Sequence, residues 1–189
     1  MRDPQAKQAT ALKVPGPSDK PQSVFRVTIA ADRQRVWQEI TRTDAPIACF
    51  FNSRMYLGPA GLTPGSKLAM RTPDAKFTGV VGEILECEPP ARLTHTFRFT
   101  NLDDEPCIVR YDLREVDGGT EFTLSIYNAT PGSKTQKQMV QGSKLITSTL
   151  KSVIETGKPS LGVRLIFTLM GLMSFTTPKR CRSEHWPVG

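Results

Sequence analysis

Gly82-Glu83-Ile84-Leu85-Glu86-Cys87-Glu88-Pro89-Pro90-Ala91-Arg92-Leu93 decides how the rest of this chain is read. It is a strand pattern that runs into a Pro-Pro corner and re-emerges as a second strand from Leu93 to Phe99. Proline donates nothing to a sheet ladder and restricts the residue before it, so two in a row take the chain out of the sheet.

Working outward, strand signals recur on both sides of the corner. Ser66–Thr72 and Phe77–Glu88 precede it, and Leu93–Thr100, Cys107–Val116 and Thr120–Asn128 follow. Asp117-Gly118-Gly119 predicts a tight hairpin between the last two. Alternation places Leu93, His95, Phe97 and Phe99 on one face, in line with Val109, Tyr111 and Leu113 and with Phe122, Leu124 and Ile126. Thr94, Thr96 and Arg98, like Arg110, Asp112 and Arg114, point the other way, so one face is apolar and the other solvated.

Near the N-terminus, Phe25, Val27 and Ile29 alternate with Arg26 and Thr28 as a half-buried strand does. Asp32 is an N-cap for a helix over Arg33–Thr41, with Val36, Trp37 and Ile40 on its apolar face. The stretch from Thr43 to Tyr56 reads as a short second helix followed by irregular chain. Thr135–Thr156 is a long helix, because Met139, Ile146, Leu150, Val153 and Ile154 recur at helical spacing. Gly142 lies inside it, at a cost of about 1 kcal/mol relative to alanine. Gly157 and Pro159 stop it. The expected fold is α+β, in the order β-α-α-β-β-β-β-β-α, with a curved six-stranded antiparallel sheet around the long C-terminal helix.

In this order and spacing the motifs resemble the START-like, or SRPBCC, helix-grip superfamily. The resemblance is closest to the family named for the C-terminal domain of the activator of heat-shock-protein-90 ATPase. Val27-Thr28-Ile29-Ala30-Ala31 with Arg35-Val36-Trp37, Pro64-Gly65-Ser66, Gly82-Glu83, Leu85-Glu86, Pro89-Pro90-Ala91-Arg92-Leu93 and Gly118-Gly119-Thr120 with Phe122-Thr123-Leu124 carry it, over about residues 24–157. Many relatives have a tryptophan-centred motif where Cys49-Phe50-Phe51 stands here. The resemblance implies an apolar cavity between sheet and long helix, lined by Trp37, Phe50, Phe51, Met70, Phe97, Tyr111, Leu124, Met139 and Ile146. It also implies binding of a small hydrophobic or amphipathic ligand there without catalysis. A polyketide-cyclase-like or hydrolase-like enzyme and a chaperone or stress-response interaction protein are the alternatives. Structural motifs of this kind fix a fold rather than a chemistry.

The chemistry-bearing residues are sparse. Nucleophile motifs, phosphate-binding glycine loops and paired-histidine metal spacings are missing, so neither a metal nor a cofactor is expected. His95 is the single histidine between residues 23 and 158, on the row facing the interior. It reads either as a core histidine satisfied by a backbone or Tyr111 partner, or as a general base with Tyr111 or a glutamate. Glu83 and Glu86 read as wet-face or cross-strand residues before they read as cavity-rim carboxylates.

Charge narrows the partners. The net charge of +7 belongs to the ends: residues 1–22 hold four basic and two acidic side chains, and residues 158–189 hold five and one. Residues 23–157 balance 16 basic against 15 acidic residues, so no nucleic-acid surface is expected. Cys49, Cys87, Cys107 and Cys181 have no metal-like spacing and read as free thiols in a reducing compartment. With no apolar signal segment in residues 1–22, the expected location is cytoplasmic.

The predicted organisation is a disordered leader (1–22), a helix-grip domain (23–158) and an apolar helical extension with a basic tail (159–189). Leu161 to Phe175 is apolar nearly all round, interrupted by Arg164. At about 22 Å it is short of a roughly 30 Å bilayer core. It is expected to pack on its own domain, to form a homodimer, or to make a weak membrane-surface contact through residues 161–182.

Overall fold

A computed structural model of the chain describes residues 12–172 and 176–189. In chain order the elements are β1 (Ser23–Ile29), α1 (Arg33–Thr41), β2 (Arg54–Leu57), β3 (Lys67–Arg71), β4 (Thr78–Glu88), β5 (Arg92–Phe99), β6 (Cys107–Val116), β7 (Gly119–Tyr127), α2 (Lys134–Thr156) and α3 (Leu161–Leu172). The strands form one open antiparallel sheet, ordered β1-β7-β6-β5-β4-β3-β2. The Pro-Pro corner connects β4 to β5 through a cis Pro89–Pro90 bond, with Glu88 paired to Arg92 across it.

Local chemistry sets the helix ends. Asp32 caps α1 by accepting from the Arg35 amide at 2.7 Å, and Ser133 caps α2 by accepting from the Gln136 amide at 3.0 Å. Gly157, at φ 76°, closes α2 with its amide on the Val153 carbonyl. The apolar rows of β5, β6 and β7 face α2, and Leu93, Val109, Phe122, Leu124 and Leu150 are almost completely buried between them.

The sheet departs from expectation in one place. Seven strands form rather than six, because Arg54–Leu57 pairs with β3. The expected second helix shrinks to one 3-10 turn over Ala48–Phe50. An isolated bridge between Ile47 and Ser53 closes that turn into a loop, and Phe51 and Asn52, both at φ 55°, reverse the chain into β2. Four residues are too few to display a period, so β2 was hidden from pattern reading.

The outer sheet face is solvated but ordered. Arg92 donates to Asp112 at 2.6 Å, Thr94 donates to Glu86 at 2.8 Å, and Arg110 lies 3.5 Å from Glu86. Of the expected leader, residues 1–11 lie outside the described residues. Beyond them, the Pro15 carbonyl accepts from Arg110, and the Gln22 amide brackets Ala129 with two bonds of 2.7 Å.

Candidate functional site

Between the apolar sheet face and α2 lies a partly open cavity of about 920 Å³. Three groups of residues build it. Met70, Phe97, Tyr111 and Leu124 come from the sheet, Met139, Ser143 and Ile146 from α2, and Phe50 and Phe51 from the loop before β2. Eight of the nine expected lining residues are therefore brought together. Trp37 is the exception: α1 packs across β6 and β7, so the indole is buried in the core but forms no part of the wall. Helical periodicity shows that a side chain points inward, not which part of the interior it reaches.

The loop wall depends on a glycine. A Cβ on Gly142 would come within 3.3 Å of Phe51 Cζ, tighter than ordinary contact, so the bare backbone of α2 accommodates the phenyl edge. That gives a packing reason for the mid-helix glycine. Phe51 holds its ring there from a left-handed backbone, a conformation uncommon outside glycine and costly enough to mark a constrained segment.

The polar groups in the wall are mostly uncharged; the charged one among the described residues is Asp74, exposed and paired with Lys76 at 3.4 Å. His95 Nδ1 lies 2.7 Å from the Thr96 carbonyl, so that nitrogen carries the proton and donates, and Nε2 is left as the acceptor. Among the described residues Nε2 has no hydrogen-bond partner. Gly82 makes this arrangement possible: a Cβ there would fall 1.9 Å from the same carbonyl oxygen. Burial pulls the His95 pKa below its ordinary value, and burial pushes the Tyr111 phenol far above its own. Both rings are thus neutral, with centroids 5.6 Å apart. Tyr111 is also stacked on Phe50 and Phe122, each at 5.6 Å, which fixes its plane. Ser143 Oγ is buried without a hydrogen-bond partner among the described residues.

Glu83 stands apart from this group. It is exposed on β4 and does not line the cavity. Glu86 serves the outer ion ladder. The four cysteines are unpaired; burial pushes the Cys107 thiol up to about 12, so it carries no thiolate at neutral pH. No group of three His, Cys, Asp or Glu side chains among the described residues could hold a metal ion.

The wall also has members that sequence reading missed. Phe167 and Met170 of α3, with Pro178 and Cys181 beyond it, border the cavity. A clasp holds this segment in place. Arg182 bridges to Phe77, the Ser183 amide donates to the Lys76 carbonyl at 3.0 Å, and Thr78 donates to Ser183 Oγ at 3.0 Å. Arg180 pairs with Asp103 at 2.7 Å, and the Trp186 carbonyl accepts from Arg71 at 3.0 Å. The extension thus runs past the cavity opening and on to the outer sheet face, where Arg98 lies 5.9 Å from the Trp186 ring.

An antiparallel sheet gripping one long helix around an apolar cavity defines the helix-grip class of proteins. Residues 20–155 match the family described as Activator of Hsp90 ATPase homolog 1-like protein, and the chain belongs to that family. No curated protein matches it in sequence. Solved structures with the same fold include CalU16 from Micromonospora echinospora, at 21% identity and TM-score 0.55, with 81% of this chain and 84% of that chain covered. DynU16, from the dynemicin biosynthetic locus, has 20% identity and TM-score 0.56, but only 48% of its chain is covered, against 72% of this one. Aha1 from Colwellia psychrerythraea, solved as a dimer, has 15% identity and TM-score 0.57, with 71% and 96% covered. The extension carrying α3 and the clasp lies beyond the family match.

Proposed function

We propose that this chain binds a small, neutral, apolar or amphipathic molecule in the cavity between sheet and α2. The observation that carries this reading is the cavity itself, about 920 Å³ of space walled mainly by aromatic and aliphatic side chains. Protein interiors are otherwise close-packed, so a partly open space of this size beside a strained loop supports a binding site over a packing defect. His95 Nε2 and the Tyr111 hydroxyl supply one acceptor and one donor, which suit a hydroxyl or carbonyl group on an otherwise apolar ligand. Away from exposed Asp74, which Lys76 already pairs, the walls are neutral and disfavour a carboxylate or an ammonium, whose burial without a counter-charge is costly. The family's cavity-based roles support the same reading.

Native mass spectrometry of freshly purified full-length protein tests it. An apolar molecule should be retained by the wild type and retained less by Ile146→Trp, whose larger indole narrows the space. Bare protein in every preparation, with no apolar dye taken up at saturation, would contradict the reading. A second reading rests on the free Nε2 lone pair, which could accept a proton from an acidic C–H while Tyr111 donates to a carbonyl oxygen. Conversion of the bound molecule with loss of water, in wild type but not in His95→Gln, would replace simple binding by cyclase-like turnover.

A further inference from the structure

The family fold leaves α3 unexplained, and its solvent face is unusual. Leu161 is 80% exposed, Leu165 61%, Leu169 50% and Met170 49%, so the helix turns outward most of its apolar surface. Among residues 161–170 Val163 is the one buried side chain, with Phe167 half-buried beside it. At 3.6 residues per turn, Leu161, Leu165, Leu169, Ile166 and Met170 cover roughly half the circumference, and Arg164 and Thr168 border that arc. Packing on its own domain, the first expectation for this segment, therefore accounts for only a narrow strip of the helix.

We infer that this face seats on an anionic lipid surface. Two further observations select that occupant. The first is charge: residues 158–189 hold Lys158, Arg164, Lys179, Arg180 and Arg182 against Glu184 alone. Arg164 and Lys179 are exposed, and Arg164 sits at the edge of the apolar arc, where its stem can lie along lipid while the guanidinium reaches phosphate. A second copy docking through the same face would bring two such cationic segments together. The second observation is continuity. Met170 is both half exposed and part of the cavity wall, so the lipid-facing surface runs without interruption into the cavity mouth. No helix among the described residues is long and apolar enough to cross a membrane, and twelve residues suffice for a helix lying in the interface plane. The seated helix would place the cavity opening against the apolar phase. This consequence, though not the lipid contact, rests on the ligand-binding reading.

The test is flotation of the full chain with phosphatidylcholine vesicles, with and without phosphatidylserine. Binding should require phosphatidylserine and be released by salt. Leu165→Glu with Leu169→Glu, both already exposed and so compatible with folding, should weaken partitioning by about tenfold or more. Arg164→Gln and Lys179→Gln should each weaken it about fivefold. Ile146→Trp, which narrows the cavity, should bind vesicles as the wild type does, so a failure of the ligand reading stays separate. A monomer that ignores both vesicle types would overturn the inference. So would self-association, measured by sedimentation velocity, that the double Leu variant abolishes while vesicle binding is lacking; the partner would then be a second copy, as the dimeric Colwellia relative illustrates.

Discussion

At the scale of single residues, His95 shows how one backbone contact decides a side chain's chemistry. Its Nδ1 proton is committed to the Thr96 carbonyl, which Gly82 admits by lacking a Cβ. Burial lowers its pKa below the ordinary 6.5. In the unfolded chain His95 takes a proton near its ordinary value, whereas in the fold it does so only at lower pH. Between the two the unfolded state binds more protons, so the stability His95 contributes is complete above that value and falls as pH drops through the window. The denaturant midpoint should therefore decline from about pH 7 to about pH 5, and His95→Phe should flatten the decline. An equal slope in the two proteins would mean that His95 is not the titrating group. His95 and Tyr111 were both legible in the sequence as inward-facing, because strand alternation fixes the face. Which ring nitrogen stays free was not, since that depends on a carbonyl that a glycine on the neighbouring strand leaves room for.

At the scale of elements, the long patterns were readable and the short ones were not. α1 and α2 announce themselves through apolar spacing, with Asp32 capping the first and Gly157 ending the second. Strands β3 to β7 follow from alternation and from the Pro-Pro and Asp-Gly-Gly corners. β2 escaped notice because it is four residues long and its neighbour's edge, not its own pattern, makes it a strand. The apolar character of α3 was plain, but its cover was not, because periodicity carries no information about what lies outside a fold. Among residues 161–170 Val163 is the one buried side chain and Phe167 is half-buried, so α3 packs on the domain through a narrow strip. Opening it exposes little apolar surface, so its amides should exchange as a low-stability unit. Hydrogen exchange read by mass spectrometry should show peptides within residues 161–170 labelling well before those of α2 at Leu145–Ile154. Equal protection would indicate a covering contact beyond the described packing.

At the scale of the whole molecule, the fold is a sheet wrapped on α2, with an interior divided unequally. One part, with Trp37 and Phe122, is solid core, and the other, with Met139 and Ile146, is open space. The apolar sheet rows predict a buried face but do not reveal that division, so nothing in the pattern places Trp37 in the solid part rather than the wall. The extension then adds Phe167, Met170 and Cys181 to the wall from far along the chain. Local sequence reading has no signal for such a contact.

The cavity's purpose is tested most directly by thermal unfolding of wild type and Met139→Trp in parallel, each with a library of neutral apolar compounds. A ligand present at a hundred times its dissociation constant stabilises the folded state by about 2.7 kcal/mol. For a chain of this size that raises the melting temperature by roughly 5–10 °C. At least one compound should produce such a rise in the wild type and a smaller one in Met139→Trp, whose indole narrows the space. No rise from any compound, or the same rise in both proteins, would contradict a ligand site between the sheet and α2.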